Sequence, residues 1–373
     1  MLAVILLCIS IHSCYIGSKV VVSLLAIHLG ASPTTIGVIA ALYGVAPLIL
    51  GVHSGRLSDR VGVRLPILAG AGLVVAAMLT GFLFQTIAGL MVVSILMGTG
   101  FVYYNVSIQN LAGFLGAPGD RARNFSWLAM GYSTSAFIGP TFAGFAIEYY
   151  GHAAAFLGFM FFALTPIVVL AFNRRIAITP PAPATDGTPQ VTTFGLLRDA
   201  PLRRVVIMSG LMVAAWEMFI FYMPLHGHAM GLSASTIGLV LGVYSVGAFF
   251  VRFLLPALLR KSSPAQLLGT SMVIGAIVYA ALPLIQLPWL LMAASFTIGL
   301  LLGVCQPLSM TLSFERSPAG RTGEVTGLRL TANNVARILV PVISGALGTA
   351  LGAAPVFWMN ALNLLAVSWL ARR

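Results

Sequence analysis

The chain has 373 residues, of which 59% are hydrophobic and 8% charged. A soluble surface needs about a quarter charged residues, so this composition excludes an assembly of soluble domains and requires most of the surface to face lipid. The formal net charge of +12 would suit a nucleic-acid partner, but the basic residues sit in short segments between apolar runs rather than in a patch with interleaved aromatics, so no such partner is expected.

A helix needs roughly 20 apolar residues to cross the hydrocarbon core. In chain order, twelve runs qualify: 1–29, 33–54, 65–86, 87–113, 125–149, 152–173, 204–228, 233–259, 264–285, 288–312, 326–350 and 353–371. Runs of this length satisfy their backbone in lipid as helices, so an all-α polytopic membrane protein is predicted. The first run lacks a basic flank and a small-residue cleavage site, and reads as a span that stays in the protein. Cys8, Cys14 and Cys305 lie in apolar runs without metal-ligand or redox spacing, and read as small buried hydrophobes.

Of the 20 basic residues, 18 lie in the even-numbered loops, at helix ends on the same side, or at the C-terminus, and the odd-numbered loops hold none. This asymmetry predicts even loops and both termini in the cytoplasm. Residues 174–203 form the longest loop, with a Pro-rich patch, ITPPAPATDGTPQ. Such a composition reads as a linker between bundles at 1–173 and 204–373, with the stretch around 194–204 expected as a short amphipathic helix on the membrane surface.

Shifting the sequence by 201 residues superimposes the two halves. Residues 30–45 then meet 231–246 with seven identities, and Pro140, Gly144, Gly151 and Phe156 meet Pro341, Gly345, Gly352 and Phe357. A constant offset over this length marks an internal repeat. Six-helix halves related by an axis along the membrane normal are one known transporter plan, with the substrate site near mid-depth between them.

Between spans 2 and 3 the chain reads GRLSDRVGVR. Gly55 allows close helix approach, Gly62 a tight turn, Asp59 an interaction with the positive end of a helix, and Arg60 and Arg64 cytoplasmic anchoring. This segment resembles the signature loop of the major facilitator superfamily, G-x-x-x-D-R-x-G-R/K-R/K, with Val63 in place of a commonly basic residue. The resemblance implies two pseudo-symmetric six-helix bundles, a multi-pass protein of a bacterial-type inner membrane, and a gating role for Gly55, Asp59, Arg60, Gly62 and Arg64. In the second half this loop has decayed, with Arg260 opposite Asp59 and Pro256 opposite Gly55.

In span 5, FIGPTFAG is similar to the G-P-x-x-G-G segment of antiporter branches, through Gly139, Pro140 and Gly144, with Ala143 replacing a glycine. A kinked, tightly packed helix is the structural alternative. The arginine that many exporters of the family carry in span 4 is absent.

Ionisable residues inside spans are costly and therefore functional candidates. Lys19 lies in span 1, Glu217 in span 7 and Arg337 in span 11, about 16 Å along its helix. The family's cavity is lined by spans 1, 4, 7 and 10 with parts of 2, 5, 8 and 11. Two readings stand: a structural pair between Glu217 and either Lys19 or Arg337, or a site with an excess cation for an anionic group and a carboxylate that exchanges a proton. Asn105 and its repeat mate Gln306, Asn333 and Tyr104 join the candidate site, with Tyr103, Gln109, Asn110, Trp216 and Tyr222 as further aromatic and polar positions. His226 and His228 read as solvated residues flanking an outer turn, and His12 and His28 as hydrogen-bonded structural groups, with a proton relay as the alternative.

No nucleotide-binding loop, metal-ligand spacing or enzyme motif appears, so no cofactor is expected and the energy must come from a gradient. The resemblance implies a secondary active transporter acting as a monomer on a small molecule, with protons as co-substrate. Proton-coupled efflux is favoured by the span 5 segment. Import of a small organic anion is favoured by Lys19, Arg337 and the missing span 4 arginine. A transporter-shaped receptor is the third reading.

Overall fold

A computed structural model describes residues 2–114, 121–172, 197–305, 307–309 and 322–372. The described elements are helical: α1 Leu2–His28, α2 Pro33–Val61, α3 Arg64–Leu83 and α4 Ile87–Phe114. The helical stretch Arg121–Phe172 is broken at Gly151, whose φ of 83° and ψ of 172° leave the helical region. It therefore comprises α5 over 121–150 and α6 over 152–172. There follow α7 Ala200–Ala229, α8 Ala234–Leu259, α9 Pro264–Ala281 with a 3-10 turn Leu282–Leu284, α10 Pro288–Gly303, α11 Thr322–Leu351 and α12 Ala353–Arg372. Eleven helical stretches among the described residues are long and apolar enough to cross a bilayer, and the one at Trp127–Phe172 supplies two passes. The chain is thus a multi-pass membrane protein with the predicted number of spans.

Two boundaries differ from expectation, each for a local reason. The predicted span 2 ended at residue 54, but α2 runs through Gly55 to Val61 and closes at Gly62. The first seven residues of the signature segment are therefore helical, and the turn falls on Gly62 and Val63, with the positive φ of 78° at Gly62. The predicted amphipathic stretch ends in the start of α7: Leu202 and Val206 are buried against Leu328, with Leu197 and Ala332 packed around them. The Asp199 carboxylate accepts from the Leu202 amide at 3.3 Å, as an N-terminal cap would. The Pro-rich patch lies outside the described residues.

By mutual contacts the chain divides into a first unit, Met1–Ala184 with Pro224–Gly242, and a second, Thr185–Met223 with Val243–Arg373. The end of α7 and the start of α8 group with the first unit, and the start of α8 packs on α5 through Gly144 and Gly238.

Within the first unit, close helix approach rests on small residues, as expected where lipid supplies no hydrophobic drive between helices. A Cβ at Gly70 would lie 2.6 Å from the Gly100 carbonyl, joining α3 to α4, and one at Gly98 would lie 2.6 Å from the Tyr43 carbonyl, joining α4 to α2. In the second unit Gly299, 201 residues after Gly98, approaches the carbonyl of Tyr244, 201 residues after Tyr43.

The turns repeat as well. Gly30 and Gly231 have φ of 76° and 75°, and Gly151 and Gly352 have 83° and 82°. After α1 the amides of Gly30 and Ala31 donate to Ile27 and Ala26, and after α7 those of Gly231 and Leu232 donate to His228 and Gly227. Both are Schellman closures, which need a residue tolerant of positive φ. Ser32 and Ser233 then accept from the amides of Thr35 and Thr236 at the starts of α2 and α8.

Candidate substrate and coupling sites

The polar face of the first unit is built on α1. Among residues 10–26 the two that rise out of burial are His12 and Lys19. They are seven residues apart, so they share a helix face with Tyr15 between them. The Lys19 ammonium sits 5.1 Å from the Tyr15 ring centroid and 5.9 Å from that of Tyr43, within cation–π range. Tyr15 stacks on Phe101 of α4 at 3.8 Å between centroids and 14° between planes. His12 meets Tyr132 of α5 edge-on at 4.9 Å and lies 5.8 Å from Phe101.

Hydrogen bonds hold these rings in place. The Tyr132 hydroxyl donates to Asn105 Oδ1 at 2.5 Å. Ser135 Oγ donates to the Tyr132 carbonyl at 2.8 Å and lies 2.5 Å from His12 Nδ1. A serine has a single proton, so with that proton given to Tyr132 it accepts from His12, which places the imidazole hydrogen on Nδ1. Tyr104 takes a different part: it is 2% exposed and its hydroxyl donates to the Leu7 carbonyl at 2.8 Å. It ties α4 to α1 inside the packing, away from the partly exposed face. Asn110 donates to Ser58 at 3.1 Å and joins α4 to α2.

In the second unit, Arg337 Nε lies 3.3 Å from Glu217 Oε1, with the Arg337 side chain 41% exposed and that of Glu217 7%. The carboxylate is thus held inside the packing and the guanidinium at an open edge. Burial opposes a bare carboxylate, and the arginine supplies its counter-charge. Arg337 Nη1 also reaches Asn334 Oδ1 at 3.5 Å. Asn333 is buried, and its amide lies 2.9 Å from the Ser209 hydroxyl. Oriented to donate, that amide also reaches the Ser209 and Arg329 carbonyls at 3.2 Å. It therefore links α11 to α7. Beside Glu217, Tyr244 packs between Trp216 and Phe219 at 5.0 and 4.8 Å. From α12, Asn363 donates to the Leu211 carbonyl at 2.9 Å, and Tyr279 of α9 donates to that of Ala215 at 3.0 Å. Gln306 lies outside the described residues.

The α5 segment packs on two sides. A Cβ at Gly139 would lie 2.7 Å from the Ser13 carbonyl and 3.0 Å from the Gly17 amide, both on α1. One at Gly144 would strike the Ala234 carbonyl of α8 and lie 3.1 Å from Gly238 Cα. One at Gly238 would lie 2.5 Å from the Pro140 carbonyl. Five residues on a helix turn through about 140°, so the two glycines meet different neighbours. One turn beyond, Glu148 accepts from the Ser235 amide at 2.8 Å, a carboxylate at the positive end of α8.

At the signature turn, Arg64 donates to the Leu170 carbonyl at the end of α6, at 2.8 Å. A cation on the terminal carbonyls of a helix complements its dipole. Gly55, Asp59 and Arg60 fall in the last two turns of α2.

The sequence reading did not place Tyr15, Phe101, Tyr132 and Ser135 beside Lys19, while the hydrogen bond expected for His12 is present, to Ser135. The 12, 15, 19 spacing on α1 was the available signal. The rings contributed by α4 and α5 carry no such mark, since aromatic residues are unremarkable in apolar spans.

The model of the Major Facilitator Superfamily matches residues 5–341. The quinolone resistance protein NorA of Staphylococcus aureus (strain MRSA252) is 22% identical over 371 residues, 95% of this chain and 92% of that protein. YfkL, an MFS-type transporter of Bacillus subtilis (strain 168), is 24% identical over 87% of this chain and 83% of its own length. Among solved structures, the nucleoside transporter NupG matches with a TM-score of 0.80 at 13% identity, over 100% of this chain and 99% of its own. A peptide transporter, POT, matches with a TM-score of 0.80 at 16% identity, over 99% and 93%. With its helix count, its repeat and this match over most of its length, the chain belongs to the Major Facilitator Superfamily of transporters.

Proposed function

We propose that this transporter exports a small organic compound in exchange for protons across a bacterial inner membrane, with both termini cytoplasmic and Glu217 as the proton-exchanging group. The observation that carries this reading is the Glu217–Arg337 pair. A buried carboxylate beside one cation has two ways to be neutralised, by that cation or by a proton. A cationic group of the substrate that takes the carboxylate expels its proton, which is antiport. A transporter confers resistance by export, so the quinolone-resistance relative supports efflux, as does the span 5 segment.

A second reading, import of an organic anion, is favoured by Lys19 and Arg337. An acid that draws Arg337 away leaves Glu217 to take up a proton, so substrate and proton would move together.

The test uses inside-out vesicles carrying an internal pH dye and a panel of drugs and metabolites. A substrate of the exporter collapses the proton gradient as it enters the vesicle. Glu217→Gln is expected to abolish gradient-driven accumulation and to preserve counterflow, which needs only binding and alternating access. If Glu217→Gln still concentrates substrate with the wild-type pH dependence, Glu217 is a structural partner and the proposal fails.

A further inference from the structure

Two histidines outside the sites described above face each other where α1 ends and α6 begins. His28 is the last residue of α1, and His152 follows the break at Gly151. Their ring centroids lie 5.5 Å apart, with 33° between planes. The hydrogen bond expected for His28 is not found: neither ring makes one to the described residues. Each neutral imidazole therefore keeps a lone pair for another partner. His28 is exposed and His152 partly so.

The backbone that carries them is held firmly. A Schellman closure at Gly30 ends α1, and Gly151, with φ of 83°, comes directly before His152. Deeper in, the Cys14 thiol donates to the Phe159 carbonyl at 3.2 Å, and Gly17 leaves no room for a Cβ beside the Phe159 ring. The same two turns recur in the second half, where the residues 201 positions on are Ala229 and Ala353. Alanine serves the fold there, so these turns do not require an imidazole.

The spacing of the rings suits a shared metal ion. Zinc binds an imidazole nitrogen at about 2.0–2.1 Å, which puts the ring centroid about 3.2 Å from the ion. Two such rings at the roughly 110–120° angle of a tetrahedral site have centroids about 5.2–5.5 Å apart, and the observed separation is 5.5 Å. Residues 20–55 and 124–173 contain no Lys or Arg, so neither flanking segment carries a fixed cation to repel the ion. The acid nearest in the chain, Glu148, gives its carboxylate to the Ser235 amide of α8. Among the described residues no group of three or more His, Cys, Asp or Glu is placed to hold a metal. Two protein ligands leave the remaining positions to water, which makes an open, reversible site rather than a closed structural one.

We propose that His28 and His152 together bind a divalent transition-metal ion, zinc by the fit of the angle, on the membrane face opposite the basic segments. Bound there, the ion ties the end of α1 to the residue after Gly151 and restrains the joint between α5 and α6. Neither the direction of transport nor the role of Glu217 enters this inference.

The test is calorimetric titration of Zn²⁺ into the full-length, tag-free protein in lipid nanodiscs at neutral pH, with zinc X-ray absorption on the loaded sample. The wild type is expected to take up one equivalent of zinc, with two imidazoles in its coordination shell. His28→Ala and His152→Ala should each weaken binding about tenfold or more, because each leaves a single imidazole. His53→Ala, on α2, should leave binding unchanged. An absorption spectrum of the wild type with one imidazole per zinc, or none, overturns the proposal and needs no variant. So does a wild type without stoichiometric uptake. Wild-type affinity in either single variant, at an unchanged melting temperature, overturns it as well, since a shared ion must lose affinity from both sides.

Discussion

The two units pack alike and differ in their chemistry. Gly98 meets Tyr43 in the first unit, and Gly299 meets Tyr244 in the second. Gly30 and Gly231 close their preceding helices with nearly the same torsion. The polar groups follow no such correspondence. The first unit carries an ammonium over two tyrosine rings, and the second a carboxylate with its arginine. Tyr43 spends its hydroxyl on Ser18 at 3.1 Å, whereas the residue 201 positions after Ser18 is Phe219, which stacks on Tyr244. The repeat therefore preserves the contacts where backbone meets backbone, which tolerate no added atom. It lets go of side-chain identity even inside the packing, as at Ser18 and Phe219, both 0% exposed.

The largest effect expected from this contrast is at the paired glycines. Gly98→Leu and Gly299→Leu should each cost about 3 kcal/mol, because the new side chain meets a carbonyl on a neighbouring helix. Thermal unfolding in detergent measures both, and a mild result at one of them would break the equivalence of the two packings.

A smaller and asymmetric effect is expected at the ion pair. Arg337→Met removes a counter-charge from a buried carboxylate and should cost about 2–3 kcal/mol. Glu217→Gln leaves an arginine that is 41% exposed and should cost under about 1 kcal/mol. Equal losses in the same unfolding assay would mean that water reaches both groups.

The smallest effect lies at the turns. A Cβ at Gly30 or Gly231 meets nothing within 4 Å, so alanine there pays for the left-handed torsion alone, about 1–2 kcal/mol. The two losses should agree within error, and a clear difference would show that one turn is held by contacts the other lacks.

Much of this fold was legible because the membrane imposes coarse rules. Span length, the charge asymmetry and the 201-residue offset needed no knowledge of side-chain direction, and the spans followed. Glu217, Arg337 and Lys19 stood out because charge in an apolar run is rare. The neighbours of Lys19 did not, because in a helix apolar on every face the periodicity that separates inside from outside is weak. Tyr104 and Tyr132 look equivalent in sequence, but one points into the α1 contact and the other toward the open face. Likewise the glycines of the α5 segment signalled close packing, but which helix each one meets depends on tertiary placement. Phe159 against Gly17 and Gly238 against Pro140 are partners far apart in the chain.

Gly151 and Gly352 carry a mechanical consequence. Each is the single non-helical residue between two long helices, α5 and α6 in one case and α11 and α12 in the other. A joint of one residue has two torsions and no slack, unlike a flexible tether of several residues. Each helix pair therefore works as an elbow rather than as two rods on a string. A tilt imposed on α5 by whatever presses on its glycine faces arrives at α6 as a torque, and the same lever recurs at α11 and α12.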